Sequence, residues 1–282
     1  MATFATSDQL LVIIDPGARE ADGESVRIAK DVLSAGAAAK VCLPEGPEEF
    51  ARVLGRRGSR RPVVVGDDRA LVRAVTLLHR HRELAGCALS VVPVGEAGLA
   101  RSLGVPAGAV ASARAVLEGV ERRLDLLVDD SDGVVLGALG IPPAPRRPGA
   151  REPVPAPPGR PWLRSTYRSL VRTLGPRPAR PGGIPAPGPS RLRVEVDGET
   201  VVDLDRPVEA VSVTPGSGGL ARVEVRPLPL DTQEPAFSVS GHAVTVAGGD
   251  FRYRADAAVS GPVRRRTWRG VEGAWGLVLP SA

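Results

Sequence analysis

"RPVVVGDDRAL", residues Arg61 to Leu71, is the stretch that decides the fold of this chain. Pro62 to Val65 is a short, mostly β-branched apolar run, Gly66 closes it, and Ala70 and Leu71 open a segment with helical spacing. A strand apolar on both faces that runs straight into a helix belongs to a parallel α/β sheet. The turn between the two is where such sheets hold phosphate on bare backbone amides at a helix start. Here that turn carries Asp67, Asp68 and Arg69.

The same alternation extends to either side. "LLVIID" (Leu10 to Asp15) reads as a strand stopped by Pro16-Gly17, and "ESVRIAKDVLSAG" sets Val26, Ala29, Val32 and Leu33 on one helical face, with Gly36 as its stop. After the quoted turn, "ALVRAVTLLHRHRELAG" points Leu71, Ala74, Val75 and Leu78 inward. Strand "ALSVVPVG" (Ala88 to Gly95), helix "AGAVASARAVLEGV" and strand "LDLLVDD" (Leu124 to Asp130) follow. The expectation is an α/β, mainly parallel domain over residues 1–140, with ligands at the carboxyl ends of its strands, where Gly66 and Gly95 fall.

Then the composition changes. Between Pro142 and Pro189 lie 15 of the chain's 28 prolines, so residues 141–190 read as an extended proline-rich connector. Within it, residues 162–175 ("WLRSTYRSLVRTLG") predict a short amphipathic helix with Leu163, Tyr167, Leu170, Val171 and Leu174 on one side. From 191 to 282 the period becomes two, in "RLRVEVDGETVVDL", "EAVSVTPG", "ARVEVRPL", "AVTVAGGDFRYRADAAV" and "GAWGLVLP", which predicts an antiparallel β-sandwich. Asp197-Gly198 and Gly248-Gly249-Asp250 are expected as hairpin turns.

Composition narrows the function classes. No run of about 18 apolar residues is present, so no transmembrane helix is expected. The start "MATFATSDQLLVIIDPG" lacks a basic stretch followed by a small-residue cleavage site, and the expected location is cytoplasmic. Cys42 and Cys87 make no disulfide framework and show no metal-ligand spacing, so no metal site is assigned. The net charge is +5, yet Lys30 and Lys40 are the only lysines; with abundant alanine, glycine and proline, that skew points to GC-rich coding before a polyanion site. Arginines gather at Arg56, Arg57, Arg60 and Arg61 and again at Arg264 to Arg266. A solvated basic face is the simpler account, with at most weak, salt-sensitive contact with anionic membrane. Aromatic residues are only 3% of the chain, too few for base-stacking platforms, so no nucleic acid partner is expected.

Taken in order, these pieces resemble the diacylglycerol kinase family, which includes bacterial lipid kinases and sphingosine kinases. Its first loop, of pattern GGDGT, is matched by Gly66 and Asp68 in "GDDRA". Its second, P-x-G-T-x-N-D-F-A-R-x-L-x-x-P, is matched in part by "PVGEAGLARSLGVP" (Pro93 to Pro106), where Gly95 and Arg101 persist. "RRLDLLV", the segment around Tyr167 leading into "RLRVEVDGE", and the closing "GAWGLVLP" extend the likeness over nearly the whole chain except the proline tract. The resemblance implies an α/β nucleotide-binding-like domain joined to a β-sandwich, ATP-dependent phosphorylation of a lipid hydroxyl with ATP and Mg²⁺ as cofactors, and nucleotide contact at Gly66, Asp68 and Gly95.

The departures fall on the chemistry. Asp67 and Arg69 replace glycines and Ala70 a threonine in the first loop; Glu96 replaces a threonine in the second, which also lacks its Asn-Asp pair. Asp15 replaces the asparagine of an Asn-Pro motif, and Ser260-Gly261-Pro262 stands where the family shows Asp-Gly-Glu supplying a carboxylate base. A side chain at Arg69 obstructs close backbone approach, and a second carboxylate repels a polyanion. As a helix start the same residues make sense, with Asp68 expected as the N-cap and Asp67 complementing the dipole. His79, His81 and His242 offer no replacement base, so no catalytic residue is assigned. The expected function is that of a family member whose phosphoryl transfer is impaired or lost. The alternatives are a non-catalytic module that binds a lipid, a nucleotide or a protein, and a scaffold whose "PAPRRP" segment (Pro143 to Pro148) recruits a partner.

Overall fold

In the computed structural model, which describes residues 9–143, 190–228 and 235–281, four apolar strands lie parallel in the order β2-β1-β3-β4. They are β1 (Gln9–Ile14), β2 (Ala38–Cys42), β3 (Arg61–Gly66) and β4 (Ala88–Pro93). Both faces of this sheet are covered, which is why the runs are continuously apolar. Leu11 and Ile13 of β1, Val64 of β3 and Leu89 and Val91 of β4 pack with α3 (Pro47–Gly55), α4 (Asp68–Arg80) and α5 (Gly98–Ser102). Leu10, Val12 and Ile14, with Val63, Val65 and Val92, pack with α1 (Pro16–Ala21), α2 (Gly23–Gly36) and α6 (Ala109–Glu118). The faces expected of α2 and α4 are buried, apart from Val32, which is only partly covered. The short α1, the edge strand β2 and α3 were not anticipated.

The remaining strands are β5 (Val120–Asp129), β6 (Val134–Val135), β7 (Leu139–Ile141), β8 (Leu192–Val196), β9 (Glu199–Val202), β10 (Val208–Pro215), β11 (Ala221–Pro227), β12 (Phe237–Gly241), β13 (Ala243–Ala255) and β14 (Ala258–Leu279). As expected, the C-terminal strands pair antiparallel, in the order β12-β11-β10-β7-β13-β14. Strict alternation along β11, which buries Ala221, Val223 and Val225, feeds a core that also holds Val211, Val244, Val246 and an edge-on Tyr253–Trp268 pair with centroids 5.2 Å apart.

Strand β14 joins the two regimes. Its first part pairs with β13 and its later residues with β5, and Gly276 and Leu277 lie parallel to Ala88 and Leu89 of β4. Trp275, Leu277 and Leu279 thereby enter the core beside Leu71 and Leu78. Asp197-Gly198 forms the expected turn, with φ of 51° and 88°. Gly248-Gly249-Asp250 does not: β13 runs through it, and the pairing with β14 shifts between Ala247 and Phe251, so these residues form a bulge. A side chain at Gly248 would meet the Arg191 carbonyl at 2.8 Å, which accounts for the glycine. The proline-rich tract and the helix expected over 162–175 lie outside the described residues. Among the described residues no helix is long and apolar enough to cross a membrane.

Candidate functional site

A helix start leaves its first amide groups without partners inside the helix, and at the carboxyl edge of a parallel sheet those groups converge. Three helices start directly after the central strands: α1 after β1, α4 after β3 and α5 after β4. Each receives an aspartate of the chain itself. Asp15 caps α1, its Oδ1 accepting from Gly17 N at 3.0 Å. Asp67 caps α4, its Oδ1 accepting from Arg69 N and Ala70 N, both at 3.0 Å.

Asp68 lies inside α4, buried to 1% exposure, and reaches across to α5, where Leu99 N donates to Oδ2 at 2.9 Å and Ala100 N to Oδ1 at 3.0 Å. The roles expected of the two aspartates are therefore corrected. Asp67 is the N-cap because its extended backbone turns the carboxylate back over the helix. Asp68, one residue on, points inward and caps the neighbouring helix. The starts of α3 and α6 are glycines without a side-chain cap.

The three residues singled out for nucleotide contact meet at one junction. Val94 N donates to the Gly66 carbonyl at 2.9 Å and Asp68 N to the Glu96 carbonyl at 2.9 Å, so the two loops are sewn together by their backbones. Gly66 permits close approach: a Cβ there would sit 2.7 Å from the Ala70 Cβ and 3.1 Å from the Asp15 Cβ. Gly95 has φ of 87° beside Asp67 and Ala21, a conformation that side chains rarely adopt. Asp15 also takes Arg73 NH1 at 2.7 Å, and the Arg73 guanidinium lies 5.5 Å from the centroid of the Phe50 ring.

One carboxylate at this edge was missed. Asp256 occupies the turn joining β13 to β14, four residues before Ser260, with φ of 46°. Leu136 N donates to its Oδ2 at 2.8 Å, and Gly137 N and Ala138 N donate to its Oδ1 at 2.8 and 3.0 Å. Burial raises its pKa; the three amides oppose that rise and the Asp68 charge adds to it. Gly137 is packed between Asp256 and Leu99 of α5, so the turn stands against the helix that Asp68 caps. The signal in the sequence was an aspartate at a tight hairpin tip in "RADAAV", a position that tolerates positive φ. Ser260-Gly261-Pro262 lies on in β14, where Gly261, at φ of 101°, is held against the Phe251 carbonyl.

This edge thus presents carboxylates whose oxygens are turned onto the chain's own amides, with one arginine drawn onto Asp15. Among the described residues, three backbone donors fill three of the four lone-pair sites of Asp256. Among the described residues no group of three or more His, Cys, Asp or Glu side chains is placed to hold a metal ion.

No protein-family model matches the chain, and no curated protein is similar enough to be matched. Solved structures are similar over nearly its full length. One, described as "a putative diacylglycerol kinase" from Bacillus anthracis str. Sterne, superposes with a TM-score of 0.70 at 14% identity, covering 98% of both chains. A second, from the same organism and described in the same words, has a TM-score of 0.67 at 13% identity and covers 99% of this chain and 98% of its own. A third, a diacylglycerol kinase of that organism, has a TM-score of 0.66 at 12% identity and covers 98% of both. With its parallel strands feeding α1, α4 and α5 and its antiparallel strands closing back through β14, this chain has the fold of the diacylglycerol kinase structures.

Proposed function

We propose that this chain derives from lipid kinases and has lost phosphoryl transfer, acting as a non-catalytic binding protein. The observation that carries the reading is the capping of α1, α4 and α5 by Asp15, Asp67 and Asp68. Phosphoryl transfer rests on positioning a nucleotide's phosphates against backbone donors, with Mg²⁺ neutralising their charge. Here the donors of the β3–α4 and β4–α5 loops are engaged by carboxylates, so an ATP phosphate would have to displace a bound anion and then face it. Arg69 stands where the loop would need an unobstructed backbone. These residues do not fit ATP and Mg²⁺.

A carboxylate in each phosphate position gives the apo protein what a nucleotide gives an active kinase, an acceptor for the helix amides. The fold then persists as a platform, and its ligand, whether a lipid or a protein, is one that does not need those amides. In this reading the protein works in the cytoplasm. Any contact with anionic membrane rests on exposed arginines such as Arg264 and Arg265 and fades with salt. The test is a thermal shift of the purified chain against ATP–Mg²⁺, since a ligand at 100 times its Kd stabilises by about 2.7 kcal/mol. No shift is the expected result; a saturable shift would overturn the reading.

A further inference from the structure

Four strands end a sheet among the described residues: β2, β6, β9 and β12. An edge strand offers a row of unpaired backbone amides and carbonyls, and folded proteins blunt that row with charge, brevity, proline or a bulge. Strand β2 carries Lys40, β6 is two residues long, and β9 carries Glu199 and meets β8 through a shift in register at Val194 and Glu195. Strand β12, "FSVSG" from Phe237 to Gly241, has none of these devices. It also borders the core. Its pairing with β11 sets Phe237 beside Val225 and Val239 beside Val223, and both valines are buried. Phe237 and Val239 therefore lie on the core face, but the apolar layer stops at them: Phe237 stays 37% exposed and Val239 is only partly covered. Ser238 and Ser240 lie on the other face, aligned with Glu224 and Arg222, and are exposed.

We propose that β12 is the surface on which a second copy of this chain docks, the two β12 strands running antiparallel about a two-fold axis at Ser238. A two-fold axis lets one strand serve as both halves of the interface. With Ser238 on the axis, Phe237 faces Val239 of the partner subunit and Val239 faces Phe237 of the partner subunit. An aromatic–β-branched pair is thus made twice on the core face, where each copy leaves these side chains uncovered. The strand holds no charged side chain, so no charge meets its own copy. An axis at Val239 would instead set Phe237 opposite Gly241, whose core face is already filled by Val196 and Asp197. A five-residue strand falls short of the roughly 1,200 Å² that stable interfaces bury, so the dimer is weak and concentration-dependent. The surface rests on neither the capped helices nor the loss of phosphoryl transfer.

Sedimentation velocity of the full chain from low to high micromolar concentration tests the proposal. The wild type is expected to pass from monomer to dimer. Ser238→Lys, which sets two ammonium groups together on the axis, should weaken dimerisation about tenfold or more. Because the Ser238 side chain is exposed, that variant should melt with the wild type. Ser238→Cys reads the axis itself: under mild oxidation it should link two chains, since the same position meets across the axis. Ser240→Cys should link far more slowly, because its two copies lie apart on either side of the axis. The wild type, with Cys42 and Cys87, supplies the background of linkage. A wild type that stays monomeric at every concentration, a dimer that Ser238→Lys leaves intact, or equal linking by the two cysteine variants would overturn the proposal.

Discussion

The two edges of one parallel sheet solve opposite electrostatic problems. At the carboxyl edge, amides of three helix starts are met by Asp15, Asp67 and Asp68, so the positive ends of the helices are neutralised from within. At the amino edge the side chains are cationic, and Arg57 is met by Glu83 and Arg61 by the Val116 carbonyl. On the proposed reading, the difference teaches that losing glycines does not by itself erase a phosphate site. A helix start must find acceptors somewhere, and a side chain that supplies them permanently closes the site more firmly than a vacant loop would.

The comparison breaks first at Asp68. If its carboxylate serves α5, Asp68→Ala leaves two buried amides without acceptors and should destabilise the ligand-free protein by about 2–4 kcal/mol in urea unfolding. Asp68→Asn, which keeps one acceptor oxygen, should cost clearly less. An Asp68→Ala protein as stable as the wild type would mean that the residue is kept for an outside ligand.

Next come the two glycines. Gly66→Ala forces a methyl to within 2.7 Å of the Ala70 Cβ and should cost about 1–3 kcal/mol through displacement of α4. Gly95→Ala has room, with its nearest atoms at 3.7 and 3.8 Å, so only the backbone strain of about 1–2 kcal/mol remains. Differential scanning calorimetry of the two variants without ligand checks that order; the reverse order would remove close packing as the reason for Gly66.

The smallest effect is a slope. Asp256 holds its proton more tightly folded than unfolded, because burial raises its pKa. Its contribution to stability is fully present below the ordinary carboxylate pKa and is lost as pH rises through the raised value. Stability of the wild type relative to Asp256→Asn should therefore fall as pH is raised from acid towards neutrality. A relative stability that climbs instead would show that the amides of Leu136, Gly137 and Ala138 dominate and hold the anion.

Where one kind of contact sets the structure, the sequence was legible. Period and burial coincide in β1, β3, β4, α2 and α4, so the parallel sheet could be read from apolar spacing, and the antiparallel strands from alternation. The site was legible only in part. That the Asp67-Asp68 turn closes a helix start followed from residue chemistry, but which aspartate caps which helix depends on a contact 31 residues away between Asp68 and Leu99. Asp256 stayed hidden for the same reason: its partners, Leu136 to Ala138, lie about 120 residues earlier and appear only when β13 and β14 fold back. At Gly248 the sequence alone does not separate a bulge from a turn, because glycine marks both, and the position of Arg191 distinguishes them.

The proposed occupation of a nucleotide's phosphate positions by the chain's own carboxylates is tested by following radiolabelled phosphate from ATP–Mg²⁺ to diacylglycerol and sphingoid bases with the purified protein. Transfer is expected to be no greater than in a protein-free control, with no gain on restoring a single position by Asp67→Gly. Transfer by the unaltered protein that disappears in Asp68→Ala or Asp256→Ala variants shown to be folded would contradict it, and would place one of those carboxylates at the reacting phosphate.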